Sequence, residues 1–132
     1  MARMMFDTNM ILRYLLNDNP TMYEKSKHLL KQDNVWVTLE VIAEVVYVLR
    51  KVYTMERQTV SDKVKDFAEL VRCKEIDVLN LAIDTYATKN LDFVDCILYA
   101  YNKVDGFEIA TFDKKLLRLL SGEKVKDDEQ TW

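Results

Sequence analysis

Four carboxylates stand in this 132-residue chain beside apolar or turn-forming neighbours: Asp7, Glu44, Asp95 and Asp113. Asp7 closes the run Met4-Met5-Phe6, Asp113 closes Ile109-Ala110-Thr111-Phe112, and Glu44 interrupts the very apolar stretch from Val41 to Leu49. Carboxylates gathered from such distant points repel one another and resist burial, so each added acid raises the cost unless a cation sits among them. The set therefore reads as a divalent metal site. Hard oxygen ligands suit Mg²⁺ or Mn²⁺, with water and substrate phosphate completing an octahedral shell. Two such ions about 3.5 to 4 Å apart activate a water and stabilise the leaving oxygen in an in-line phosphodiester displacement. That chemistry needs no nucleophilic side chain, and the lone His28, in a helical pattern among lysines, is read as a surface residue.

Each acid also has a plainer explanation. Asp7 and Asp113 precede helical patterns and would cap them, while Asp95 would favour the positive end of its helix. Glu44 would share a narrow solvated stripe with Glu40, continuing to Lys51. Taken singly these explanations win for Asp7, Asp95 and Asp113 and are evenly balanced for Glu44, and the four acids taken together favour the cation. Thr8, Asn9 and Thr111 stand beside the acids, placed to hydrogen-bond ligand oxygens and hold their orientation. Asp92 precedes Asp95 closely enough to be an auxiliary acid, although capping explains it better.

The elements that must position these groups follow from periodicity and turn chemistry. Arg3 to Phe6 predicts a short strand leading into a helix with Ile11, Leu12, Leu15 and Leu16 at helical spacing. Asn17 to Asn19 break the chain, and Pro20 suits the first turn of a second helix to about Gln32. Val35 to Val37 predicts a second strand, and Thr38 caps a central helix to about Val52. An amphipathic helix follows from about Glu56 to Arg72, then a weaker strand at Ile76 to Leu79 and a helix from Asn80 to Lys89. Phe93 to Lys103 is helical, Asp105-Gly106 is a turn, Phe107 to Thr111 reads as a strand, and Lys114 to Leu120 as a last helix. Strands separated by helices imply parallel pairing, hence a three-layer α/β/α sandwich with a short central parallel sheet. In such sheets sites lie beyond the carboxyl ends of the strands, where Asp7 and Asp113 fall and where Asp95 can share the rim.

Size and composition are those of a single domain spanning 1–132, with a core of about 3–120 and a polar tail of 121–132. Hydrophobic residues make up 49% and charged residues 31%, with only two Gly and one Pro, which favours helices with short connections over a turn-rich β sandwich. Cys73 and Cys96 are too few for a disulfide framework or a thiolate zinc site and read as reduced packing residues. The start of the chain lacks the apolar region of a signal peptide, and no run reaches the length of a membrane span, so a cytoplasmic protein is expected. The net charge of -3 gives no global attraction to nucleic acid, which leaves local basic clusters. Lys25, Lys27 and Lys31 form one, Arg50, Lys51 and Arg57 a second, and Lys114, Lys115 and Arg118 a third. Each alone reads as a solvated helix face. Only the third gains weight, from its place immediately after Asp113. Tyr14, Tyr47, Tyr99 and Tyr101 read as core or interface residues, Trp36 as core, and Trp132 as part of a tail or interface.

Asp7-Thr8-Asn9 after a short strand, Glu44 within its apolar helix, Asp92-Phe93-Val94-Asp95, and Thr111-Phe112-Asp113 together resemble the ordered signature of PIN-domain ribonucleases. The resemblance runs from Arg3 to about Leu120. It implies a small α/β/α sandwich whose metal-binding acids match Asp7, Glu44, Asp95 and Asp113. It also implies an endoribonuclease that uses Mg²⁺ or Mn²⁺ and cuts RNA that is single-stranded or locally open. The compact length is similar to that of VapC-type toxins of toxin-antitoxin pairs, which implies a homodimer and silencing by a small antitoxin protein. Many relatives carry another acid two residues beyond the last Asp, where this chain has Lys115. One firmly held ion is therefore expected, with a second recruited by substrate, and Lys114, Lys115 and Arg118 are expected to touch the RNA backbone.

Other classes fit less well. A haloacid-dehalogenase-type phosphatase would want a second Asp two residues after Asp7, where Asn9 stands, and a phospho-receiver would want paired acids at the end of the first strand. An RNA-processing nuclease outside a toxin system and a non-catalytic RNA- or protein-binding module of the same fold are the alternatives.

Overall fold

The computed structural model describes residues 2–122. Its sheet is a parallel pair, β1 (Met4–Met5) and β2 (Val35–Trp36), in register Met4 with Val35 and Met5 with Trp36. Parallel neighbours need a crossover, here built from α1 (Thr8–Leu16) and α2 (Pro20–Leu30). Asp7 caps α1 by accepting from Met10 N at 2.9 Å, and Asn19 caps α2 by accepting from Met22 N at 3.1 Å. Pro20 occupies the first turn, where its missing N–H removes no helical bond. The buried Ser26 hydroxyl donates to the Met10 carbonyl at 3.1 Å and ties the two helices together.

Thr38 caps α3 (Leu39–Tyr47), which continues into a π-helical turn, Val48–Val52, closed by Tyr53 N donating to Val48 O. The next helix, α4 (Arg57–Ala68), ends earlier than its apolar stripe suggests. The chain leaves it so that Arg72 can pair with β2: Arg72 N donates to Val35 O at 2.8 Å, and Val37 N donates to Arg72 O at 2.9 Å. Backbone groups along a buried strand edge require partners, and this segment supplies them.

Two expected strands are absent among the described residues. Ile76 to Leu79 is the first turn of α5 (Ile76–Thr88), which begins four residues before the expected Asn80. Val78, Leu79, Ala82, Ile83 and Tyr86 are buried at helical spacing, and a four-residue apolar run does not by itself distinguish strand from buried helix. Phe107 to Thr111 pairs with no strand. Local partners engage it instead: Asn102 Nδ2 donates to Phe107 O at 2.7 Å, and the Phe107 ring packs edge-on to Tyr101. The segment links α6 (Phe93–Asp105), which ends at Gly106 with φ +76, to α7 (Lys114–Ser121). Gly accepts that left-handed conformation without a Cβ clash.

The resulting α/β fold is mostly helical around the short parallel pair, with Ile11, Ile42, Leu49, Phe67, Leu79, Ile83 and Leu116 fully buried. Each such side chain contributes roughly 1.5 to 3 kcal/mol of burial. Cys73 and Cys96 are buried and unbridged. No described helix is long and apolar enough to cross a membrane. The expected polar tail beyond Gly122, with Trp132, lies outside the described residues.

Candidate active site

The four acid-bearing elements pack in series: α1 against α3, α3 against α6, and α6 against α7. Asp95 lies in the first turn of α6, where the helix N-terminus favours negative charge. Burial nevertheless raises its carboxyl above the ordinary value, and the charges of Asp113 and then Asp92 raise it further. These three acids form the electrostatic centre of the site. Asp92 occupies the N-cap position of α6, yet its side chain makes no capping bond. Asp92 thus holds the expected cap position without a side-chain bond there, and it lines both clefts described next.

Two clefts meet at Asp92 and Asp95. One, of about 440 Å³, is walled by Asn90, Phe112, Asp113, Lys114 and Lys115. The other, of about 510 Å³, is walled by Ala43, Tyr47, Arg50, Lys51, Phe93 and Val94. The two acids thus line both hollows, facing Lys114 and Lys115 in the smaller and Arg50 and Lys51 in the larger.

Asp113 caps α7, its Oδ1 accepting from Leu116 N at 2.9 Å, while its own N–H donates to Thr111 Oγ1 at 3.0 Å. Thr111 therefore orients the residue through its backbone. Asp7 spends one oxygen on α1, with Thr8 and Asn9 in the turn behind it. Glu44 is exposed on α3, three residues from Tyr47 and seven from Lys51, which face the larger cleft. Asp7 and Glu44 line neither cleft. Lys114 and Lys115 do line one, and Lys115 Nζ lies 3.5 Å from Asn90 O, whereas Arg118 is exposed further along α7.

Two residues take roles that their sequence neighbourhood concealed. By sequence Arg57 belongs with Arg50 and Lys51 on a solvated face, but its guanidinium donates to the carbonyls of Tyr86 at 3.0 Å and Lys89 at 2.6 Å and also to that of Leu91. It also lies over the Tyr86 ring at 3.7 Å. It clasps the α5–α6 connection that carries Asp92 and leads into the first turn of α6, where Asp95 stands. Tyr47, expected in a core or interface, is 61% exposed. Arg57 follows Glu56 at the start of an amphipathic helix, and nothing local marks it. Cys96 lies beneath this region with its thiol pushed up to about 12 by burial, so it is no nucleophile at neutral pH.

Among the described residues no group of three or more His, Cys, Asp or Glu side chains is placed to hold a metal ion, so the expected gathering of Asp7, Glu44, Asp95 and Asp113 into one ligand set is not seen. The chemistry of the donor set still suits a hard cation. The mutual repulsion of Asp95, Asp113 and Asp92 is what a divalent ion relieves, and Mg²⁺ commonly takes only one or two carboxylates, with water and phosphate as the other ligands.

The PIN domain model matches residues 4–120, and the chain belongs to the PIN-domain family, whose members are usually nucleases. Comparison with curated proteins gives no match, and comparison with solved structures gives none either.

Proposed function

We propose that this chain is a metal-dependent endoribonuclease that hydrolyses phosphodiesters of unpaired RNA, and that it is the toxin of a type II toxin-antitoxin pair. The observation that supports this reading is the cluster of Asp95, Asp113 and Asp92 at two clefts that also carry Lys114 and Lys115 on one side and Arg50 and Lys51 on the other. Asp95 and Asp113 would hold a Mg²⁺ or Mn²⁺ ion, with Asp7 and Glu44 contributing from the packed helices α1 and α3. Such an ion, when bound, supplies water activation and neutralises charge on the phosphate. Lys114 and Lys115 would position the phosphodiester over the acids, as point charges that tolerate movement of the strand. Arg118 would meet the backbone further along α7.

Purified protein incubated with single-stranded RNA and Mn²⁺ should cleave it, and EDTA should stop cleavage. Asp95→Asn should reduce the rate by at least a hundredfold with the fold intact by circular dichroism. Full RNase activity in that variant excludes the assignment, and binding without turnover by the parent chain favours a non-catalytic module. For the toxin role, a small protein encoded beside this gene should copurify with the chain and suppress cleavage. Light scattering should report a homodimer.

A further inference from the structure

Arg57 lines neither cleft, yet it grips the chain that forms the wall they share. Its Nε donates to Tyr86 O, and its Nη2 donates to the carbonyls of Lys89 and Leu91. Tyr86 lines the larger cleft and Leu91 the smaller, so one guanidinium holds the back of both. Asp92 follows Leu91 directly, and Asp95 stands three residues further on. The side chain of Asp92 makes no capping bond, so the backbone before it must set its place.

The grip is anchored from the opposite wall. Arg57 is the first residue of α4, and the chain just before it is tied down by Arg50 Nη1 donating to Met55 O at 2.9 Å and by Met55 N donating to Leu49 O at 3.1 Å. A short strap, Met55 to Arg57, therefore joins the wall that carries Arg50 and Lys51 to the wall that carries Asp92 and Asp95. Burial, then the charges of Asp113 and Asp92, raise the Asp95 carboxyl; Arg57 reaches it through the backbone.

Resting on the nuclease reading above, we propose that Arg57 is a positioning residue: it touches no substrate, and by fixing where Asp92 and Asp95 stand it sets how tightly the acids take up a divalent ion. Residues one layer behind metal ligands commonly change metal affinity roughly ten- to a hundredfold.

The test is Mn²⁺ titration of the full chain, read by loss of the free-ion electron paramagnetic resonance signal, with amide hydrogen exchange of the metal-free protein. Arg57→Gln should bind Mn²⁺ about tenfold or more weakly than the parent. Arg57→Lys should also bind more weakly although it keeps the charge, because an ammonium cannot reproduce the fork, and it keeps the series decisive if Arg57→Gln does not fold. Val64→Ala, a truncation at a buried site of the same helix, should lower stability and leave Mn²⁺ affinity unchanged. Exchange across 89–95 should rise in the Arg57 variants alone. Parental affinity in Arg57→Lys, an equal loss of affinity in Val64→Ala, or unchanged exchange across 89–95 overturns the proposal. If the parent binds Mn²⁺ and cleaves RNA while the Arg57 variants match its affinity, only this inference falls. If the parent binds Mn²⁺ with these dependences but does not cleave, only the nuclease reading falls. A parent chain that takes up no Mn²⁺ overturns both.

Discussion

At the scale of single residues, Asp95 and Arg57 set the terms of the site. The raised carboxyl of Asp95 means that the folded chain holds a proton there more readily than the unfolded chain does. The penalty for ionising it is absent below the ordinary carboxylate range, grows as pH rises through that range, and is fully present above the folded value. Asp95→Asn should therefore raise the melting temperature at pH 7.5, with the gain shrinking to nothing near pH 3, as thermal melts at both pH values will show. A gain that persisted at pH 3 would assign it to packing. Arg57 acts oppositely: its loss removes a charged donor from three carbonyls, of which that of Lys89 also accepts from Leu91 N at 2.9 Å. Arg57→Ala should cost roughly 1 to 3 kcal/mol in urea denaturation, and Arg57→Lys should recover only part, because an ammonium cannot reproduce the planar fork.

At the scale of elements, two acids serve twice. Asp7 and Asp113 each close a helix N-terminus through one carboxylate oxygen, so the capping explanation and the metal-site explanation are compatible for both. Substitution by Ala should cost about 1 kcal/mol at each position, whereas Asn, itself a good cap, should leave the melting temperature nearly unchanged while removing the charge. Both types of variant should lose RNA cleavage, which separates the two roles in one series. The helices and caps were legible because Asp7, Thr38 and Asp113, and Pro20 for α2, announce them locally. The ends of α4 and α5 were not. Arg72 leaves a favourable helical stripe to complete the edge of β2, and Ile76 to Leu79 becomes helical because the faces of α4 and α6 cover it. Long-range pairing and burial override local preference in both cases.

At the scale of the whole molecule, α1, α3, α6 and α7 pack in series, so a cation held by the proposed site would be coupled to folding. An ion that binds only the folded chain stabilises it by mass action, about 2.7 kcal/mol at a hundredfold excess over its dissociation constant. Mn²⁺ should therefore raise the melting temperature of the parent chain but not that of an Asp95→Asn, Asp113→Asn double variant. An unchanged parent melt at saturating Mn²⁺ would count against metal uptake independently of any activity assay.

The amino-acid order alone determined the class of fold and the caps of α1, α3 and α7, because each is written in short-range spacing or in residue type. Tertiary packing decided which acids share a field: Asp95 with Asp113 and Asp92, and not visibly with Glu44. It also turned Arg57 from a surface cation into a clasp and left Tyr47 and Phe112 in solvent at the clefts. Those outcomes depend on distances between segments far apart in the chain, and no local pattern encodes them.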